Sequence, residues 1–182
     1  MEHNLLITGL PGMGKTTLVM RLADRLKGVQ AAGFYTEEIR TGGARNGFEI
    51  VDLRGGRTLL SHVDIPGSRR VGKYGVDVTG FEHYLETVPF LSSDTALVII
   101  DEIGKMECLS EKFTRLVVGV LDASVMVVAT IALRGGGIIG HIKDRADVRL
   151  YQVTKESRDG LVGEIETVLR EGIARRALAG PR

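Results

Sequence analysis

The chain has 182 residues, 43% hydrophobic and 26% charged, which is ordinary for a soluble globular protein. A formal net charge of +1 argues against nucleic acid or an anionic membrane as a partner. The single cysteine excludes an intramolecular disulfide, and no apolar run approaches the roughly 20 residues that span a bilayer. We therefore expect one cytoplasmic domain over residues 1–182, monomeric because no exposed apolar stripe is evident.

In the first third of the chain, short apolar runs alternate with segments of helical period. This pattern is typical of βαβ units around a mostly parallel sheet. A buried strand is predicted at Asn4–Thr8, and the spacing of apolar residues predicts a helix over 15–27. A second strand is expected at 32–36. Glycine-rich turns then separate short apolar runs, which predicts a small antiparallel hairpin insertion at about 37–63.

The rest of the chain continues the alternation of strands and helices. The expected elements are a loop at 64–78, a helix at 81–91, a strand at 96–100, a helix capped by Ser110, strands at 125–131 and 148–153, a closing helix, and a frayed tail at 174–182. The predicted fold is α/β, of the P-loop NTPase type. It has a mostly parallel central sheet flanked by helices, with the small antiparallel hairpin insertion.

The turn after the first strand matches the phosphate-loop pattern GxxxxGK[ST] at 9–16. Its glycines permit torsions that let successive N–H groups converge on phosphate oxygens. Lys15 offers catalytic positive charge to the β- and γ-phosphates, and Thr16 offers its hydroxyl to Mg²⁺. The expected nucleotide-binding residues here are Gly9, Leu10, Pro11, Gly12, Met13, Gly14, Lys15, Thr16 and Thr17.

Two carboxylates follow the apolar run at 97–100. Asp101 is expected to bind the nucleotide's Mg²⁺ through its water shell, and Glu102 to orient and deprotonate an attacking water. Adjacent strand residues point to opposite faces, so the two acids have different tasks unless the strand has ended. An acid directly after the metal-binding Asp favours hydrolysis. It also favours the class in which one strand, here 125–131, lies between the phosphate-loop strand and the acidic strand.

The end of that intervening strand supplies two further candidates. Thr130 is either a polar sensor of the γ-phosphate or simply a β-branched strand residue, and the sequence favours neither. Arg134 is a candidate for supplying positive charge to the transition state, although such arginines are more often solvated.

Five stretches resemble the cancer-related nucleoside-triphosphatase family in the same order, over essentially the whole chain. They are residues 7–18, 33–38, 74–77, 101–107 and 154–159. The resemblance implies a small α/β P-loop protein that hydrolyses ATP, GTP and other nucleoside triphosphates with Mg²⁺ and loose base selectivity. It also implies that Gly104, Lys105, Glu107 and Arg158 belong to the nucleotide site.

One residue departs from the family pattern. Ser157 stands where the family commonly has Asn before an Arg-Asp pair. A serine lacks the paired donor and acceptor of an amide, which weakens the case for a base contact in this loop. The Asn-Lys-x-Asp pattern of strict guanine readers is absent from the sequence, so mixed nucleotide use is expected.

Two other functions fit the same motifs. A phosphotransferase would use the insertion and the loop at 68–77 as an acceptor pocket, with Arg69, Arg70 and Lys73 binding a second phosphate-bearing ligand. Glu102 would then activate a hydroxyl instead of water. Alternatively, the chain is a nucleotide-dependent switch whose partner supplies a missing catalytic group.

Overall fold

A computed structural model of the protein describes residues 3–179. Its strands are β1 Asn4–Thr8, β2 Ala31–Thr41, β3 Ala44–Asp52, β4 Arg57–His62, β5 Arg70–Val71, β6 Tyr74–Val76, β7 Leu97–Ile103, β8 Met126–Ile131 and β9 Val148–Gln152. Its helices are α1 Lys15–Arg25, α2 Val78–Thr87, α3 Glu111–Asp122, α4 Ile138–Lys143 and α5 Arg158–Ala179, with a 3-10 turn at Glu107–Leu109.

Within residues 3–179, nine strands form one sheet in the order β5-β6-β4-β3-β2-β7-β8-β1-β9. The strands β2, β7, β8, β1 and β9 pair in parallel, and antiparallel strands extend the sheet beyond β2. Strand β8 lies between β1 and β7, so the predicted strand between the phosphate loop and the acids is confirmed. The α/β fold class is confirmed as well.

Strand β2 belongs to both parts of the sheet. Residues 31–34 pair in parallel with β7, while residues 34–41 pair antiparallel with β3. The predicted strand at 32–36 was therefore too short. The hairpins expected at about 37–63 are present, and they continue the main sheet beyond β2.

The segment at 64–78 is not all loop, because β5 and β6 pair in a short hairpin. Helix α2 begins at Val78, three residues earlier than predicted, because the Asp77 carboxylate accepts a hydrogen bond from Gly80 N at 2.9 Å and caps it. The short helix α4 was not predicted at all. In the part of the chain that the structure describes, no helix is long and apolar enough to cross a membrane.

The predicted frayed tail is wrong for residues 174–179, which continue helix α5. Residues 180–182 lie outside the described residues. The helix end is attached to the body of the protein, since the Arg176 guanidinium donates to the Thr95 carbonyl oxygen at 3.0 Å.

Apolar side chains pack on both faces of the sheet. Leu5 and Ile7 of β1 point to the face that α1 and α5 cover, and Leu6 points to the opposite face. There, Phe81 of α2 and Phe113 of α3 pack with ring centroids 5.3 Å apart. With helices fixed on both faces, the carboxyl ends of the parallel strands meet at one edge of the sheet, where ligands bind in open α/β sheets.

Ser110 joins helix α3 to helix α2, and its hydroxyl is fully buried. The hydroxyl accepts from Phe113 N at 3.0 Å and donates to Glu82 Oε1 at 2.7 Å. We expect Ser110→Ala to lower the free energy of unfolding by roughly 1–2 kcal/mol, because it removes an N-cap and a buried hydrogen bond. Denaturant unfolding measures the loss. The exposed Ser93→Ala variant is the control, and equal stability of the two variants would contradict the assignment.

Candidate nucleotide site

The loop between β1 and α1 forms the phosphate-binding turn. Gly14 precedes the helix at φ +90°, in the left-handed region that favours glycine. The Lys15 ammonium donates to the carbonyl oxygens of Gly9 at 3.2 Å and Leu10 at 3.4 Å, so it lies over the loop. The N-terminus of α1, with its unpaired N–H groups, faces the same space.

Asp101 is fully buried at the end of β7, and threonines on the two neighbouring strands bind its carboxylate. The Thr130 hydroxyl donates to Oδ1 at 2.6 Å. The Thr36 hydroxyl donates to Oδ2 at 3.2 Å, and Thr36 N lies 3.4 Å from the same oxygen. A buried carboxylate needs such donors, so β2, β7 and β8 are tied together at this group.

Thr130 is fully buried, and its hydroxyl is directed at Asp101. The structure therefore gives it a partner that sequence reasoning missed, while contact with a γ-phosphate stays a prediction. The oxygen donors available here are the Asp101 carboxylate and the hydroxyl of Thr16, which lines the cavity above the loop. Hard oxygen donors of this kind fit a divalent cation such as Mg²⁺, which completes its shell with water and phosphate oxygens.

Three carboxyl groups lie close together: Asp101 and Glu102 in the last part of β7, and Glu107 in the 3-10 turn that follows it. Burial raises the pKa of Glu102, nearby Lys15 opposes the rise, and Asp101 adds to it. Burial also raises the pKa of Glu107 to about 8, against hydrogen bonds from backbone N–H groups and with the negative charges of Glu102 and Asp101 adding to the effect. The acids therefore form one electrostatically coupled cluster.

Gly104 lies between Glu102 and Glu107. A Cβ at this position would lie 2.9 Å from Glu107 Oε2 and 3.1 Å from Glu102 Oε1. A side chain would push the carboxyl groups out of place, which gives a physical reason for glycine here.

A cavity of about 910 Å³ lies above the phosphate loop. The predicted site residues that line it are Gly9, Leu10, Pro11, Gly12, Gly14, Lys15, Thr16, Thr17, Glu102 and Arg134. Sequence reasoning missed Met20, Thr36, Glu37, Glu38, Arg45, Phe48, Ala132 and Leu133. A signal for Thr36 and Glu37 was available, because they leave the parallel part of β2 at the edge of the sheet where ligands bind.

The other predicted site residues lie outside the cavity lining: Met13, Asp101, Gly104, Lys105, Glu107, Thr130 and Arg158. Asp101, Glu107 and Thr130 are buried beneath the site, whereas Lys105 is exposed. Arg158 lies beside the loop, with its Cδ 3.9 Å from the position of a Cβ on Gly14.

Ser157, the residue that departs from the family pattern, hydrogen-bonds with Thr154 in the turn just before helix α5. Its Oγ accepts from Thr154 N at 3.0 Å, while Thr154 Oγ1 accepts from Ser157 N at 3.2 Å. This reciprocal arrangement is a capping box with serine in the position usually held by Glu or Gln. The serine hydroxyl is thus engaged within its own loop.

The basic loop does not line the nucleotide cavity, although Arg69 lines a separate cavity of about 430 Å³ together with Leu59 and Asp77, so the acceptor role of this loop stays a prediction. Arg69 donates to the Leu109 carbonyl oxygen at 3.2 Å, and Arg70 to the Ile65 carbonyl oxygen at 2.8 Å. The Lys73 ammonium lies 5.3 Å from the centroid of the Tyr74 ring. These cations stabilise the β5–β6 hairpin and its surroundings.

A glycine-rich turn between a buried strand and a helix, with a buried acid two strands away, defines a P-loop NTPase. Comparison with known proteins agrees. A family model described as NTPase matches residues 4–166. The chain belongs to this NTPase family, and is an enzyme of the nucleoside-triphosphatase class.

Individual relatives cover nearly the whole chain. The nucleoside-triphosphatase THEP1 of Thermotoga maritima is 41% identical over 167 residues, which cover 91% of this chain and 95% of that protein. The human cancer-related nucleoside-triphosphatase is 40% identical, with coverage of 93% and 98%. The crystal structure of THEP1 from Aquifex aeolicus is 38% identical, with a TM-score of 0.79 and coverage of 91% and 98%. The family resemblance seen in the sequence is confirmed.

The raised pKa of Glu107 makes stability depend on pH. Because its folded pKa lies above the ordinary value of 4.5, the folded protein keeps a proton that the unfolded chain releases. Stability is therefore lost as pH rises from about 4.5 towards 8. In metal-free buffer, the free energy of unfolding should fall between pH 5 and pH 8 in wild type. We expect this fall to be smaller in Glu107→Gln by about 1.4 kcal/mol or more. Urea unfolding across this range measures it, with exposed Glu111→Gln as control. Parallel pH profiles for Glu107→Gln and wild type would contradict the assignment.

Proposed function

We propose that the protein is a Mg²⁺-dependent nucleoside-triphosphatase that hydrolyses ATP, GTP and other nucleoside triphosphates to diphosphates and phosphate. The observation that carries the proposal is that two adjacent acids of β7 have different surroundings. Asp101 is buried and held by threonine hydroxyls, while the next residue, Glu102, lines the same cavity as Lys15. The names of the relatives support the reaction class.

The phosphate loop binds the triphosphate through its backbone N–H groups, and Lys15 contacts the β- and γ-phosphates. Thr16 and Asp101 are the residues that would hold Mg²⁺, Asp101 through its water shell. When bound, the cation neutralises charge on the phosphate oxygens.

Glu102 orients a water molecule beside the γ-phosphate and accepts its proton. The water oxygen bonds to the γ-phosphorus as the bond from that phosphorus to the β–γ bridging oxygen breaks, which releases diphosphate and phosphate. Lys15 stabilises the negative charge that moves onto the leaving diphosphate.

Arg134 is proposed to add positive charge at the γ-phosphate. Its side chain is exposed and lines the cavity from the loop after β8. The Lys143 ammonium donates to the carbonyl oxygens of Ala132 and Leu133, which fixes the base of this loop. An arginine supplied within the chain favours an enzyme over a switch that waits for a partner's arginine.

Loose base selectivity is supported by the loop after β9. The Ser157 hydroxyl is engaged with Thr154 in the turn before α5, and residues 154–158 do not line the cavity. A site that binds mainly phosphates discriminates little among bases.

The first catalytic test is Lys15→Ala. We expect phosphate release from ATP and GTP to fall by at least about 100-fold, because transition-state charge loses its main side-chain partner. Lys27→Ala serves as the control and should match wild type, because Lys27 is an exposed lysine just beyond the end of α1 and is paired with Asp24. Retained release by a pure Lys15→Ala preparation would contradict the assigned site.

The second test separates binding from chemistry. We expect Glu102→Gln to bind Mg²⁺-ATP with wild-type affinity but to hydrolyse it roughly 100-fold more slowly, because the amide cannot accept the proton of water. Calorimetry and single-turnover phosphate release measure the two quantities. A loss of Mg²⁺-dependent affinity would instead make Glu102 a metal ligand and reverse the roles of the two acids.

A further inference from the structure

The nucleotide cavity continues beyond the phosphate loop to a wall formed by the β2–β3 hairpin. This hairpin wall consists of Thr36, Glu37 and Glu38 of β2 and of Arg45 and Phe48 of β3. Of these, only Thr36 contacts the buried Asp101. The hydrolytic reaction gives the other four residues no task.

Arg45 is held in a fixed orientation on this wall. Its Nε donates to the Tyr74 hydroxyl at 3.0 Å, and its Nη1 donates to Glu38 Oε1 at 2.8 Å. The guanidinium carbon lies 5.1 Å from the centroid of the Phe48 ring. A guanidinium fixed on two sides and stacked on a ring offers its remaining donors without further loss of side-chain entropy.

The charges of the wall select the ligand. Glu37 is paired with Arg57, and Glu38 is paired with Arg40 and Arg45, so the charges of the wall largely balance and attract neither a second anion nor an amine. The hairpin wall therefore favours a ligand without net charge. Hydroxyl and amino groups on it would donate to the carboxylates, a carbonyl or ring nitrogen would accept from Arg45, and a planar ring would pack beside Phe48. A nucleoside carries all of these groups.

We propose that the hairpin wall binds a nucleoside as a second substrate, whose hydroxyl accepts the γ-phosphoryl group in place of water. The inference rests on the proposed function, because it uses the same triphosphate site. The acceptor oxygen bonds to the γ-phosphorus, the bond from that phosphorus to the β–γ bridging oxygen breaks, and the hydroxyl proton passes to Glu102. The products are a nucleoside monophosphate and a nucleoside diphosphate.

The test follows the label from γ-³²P-ATP with Mg²⁺ in the presence of each common ribonucleoside and deoxyribonucleoside, with labelled monophosphate separated from labelled phosphate. We expect at least one nucleoside to become labelled. In Arg45→Ala, the ratio of labelled monophosphate to labelled phosphate should fall by about tenfold or more, the loss expected for one hydrogen bond to a charged group. Arg40→Ala is the matched control, since Arg40 also contacts Glu38 but lies outside the cavity lining.

The outcomes separate the two proposals. Normal phosphate release without label on any nucleoside would overturn the second site and leave hydrolysis intact. Equal losses in Arg45→Ala and Arg40→Ala would also overturn it, because the effect would then come from Glu38 or the fold. Absence of both label transfer and phosphate release in wild type would overturn the triphosphatase itself. Phe48→Leu, which keeps an apolar side chain but removes the ring, should also lower the ratio in a folded protein.

Discussion

The buried carboxylate of Asp101 is the constraint on which the site depends. A carboxylate without contact to water is costly unless donors surround it, and here Thr36 and Thr130 provide them from the strands on either side. These bonds fix β2, β7 and β8 relative to one another, just beyond the parallel part of β2. Because β1 pairs with β8, they also fix the distance between this acid and the phosphate loop.

Two further acids lie near the buried Asp101. Glu102 and Glu107 lie against the same glycine, and burial is the main cause of their raised pKa values; Asp101 adds to the rise at Glu102, and Glu102 and Asp101 add to it at Glu107. Lys15, the cation that opposes the rise in the pKa of Glu102, lies over the phosphate loop. A polyanionic ligand fits beside Lys15 and the loop, while a neutral one fits along the hairpin wall, where the carboxylates are paired with arginines.

The phosphate loop and the acidic strand could be predicted because the residues of each motif are consecutive in the sequence. Arg45 and Phe48 could not be, because they reach the cavity through the pairing of β2 with β3. That register shifts at a bulge between Ile39 and Arg40, which no periodicity in the sequence reveals. The end of α5 was missed for a similar reason, since its long-range contact through Arg176 overrides local fraying.

The most direct measurement is the dissociation constant of a non-hydrolysable ATP analogue, with and without Mg²⁺, in wild type and in Thr36→Val combined with Thr130→Val. If the threonines hold Asp101 for the metal, Mg²⁺ should tighten binding to wild type, and the double variant should lose most of that gain. Its metal-free affinity and cooperative unfolding should remain. An unchanged gain from Mg²⁺ in the double variant would contradict the central role of this carboxylate.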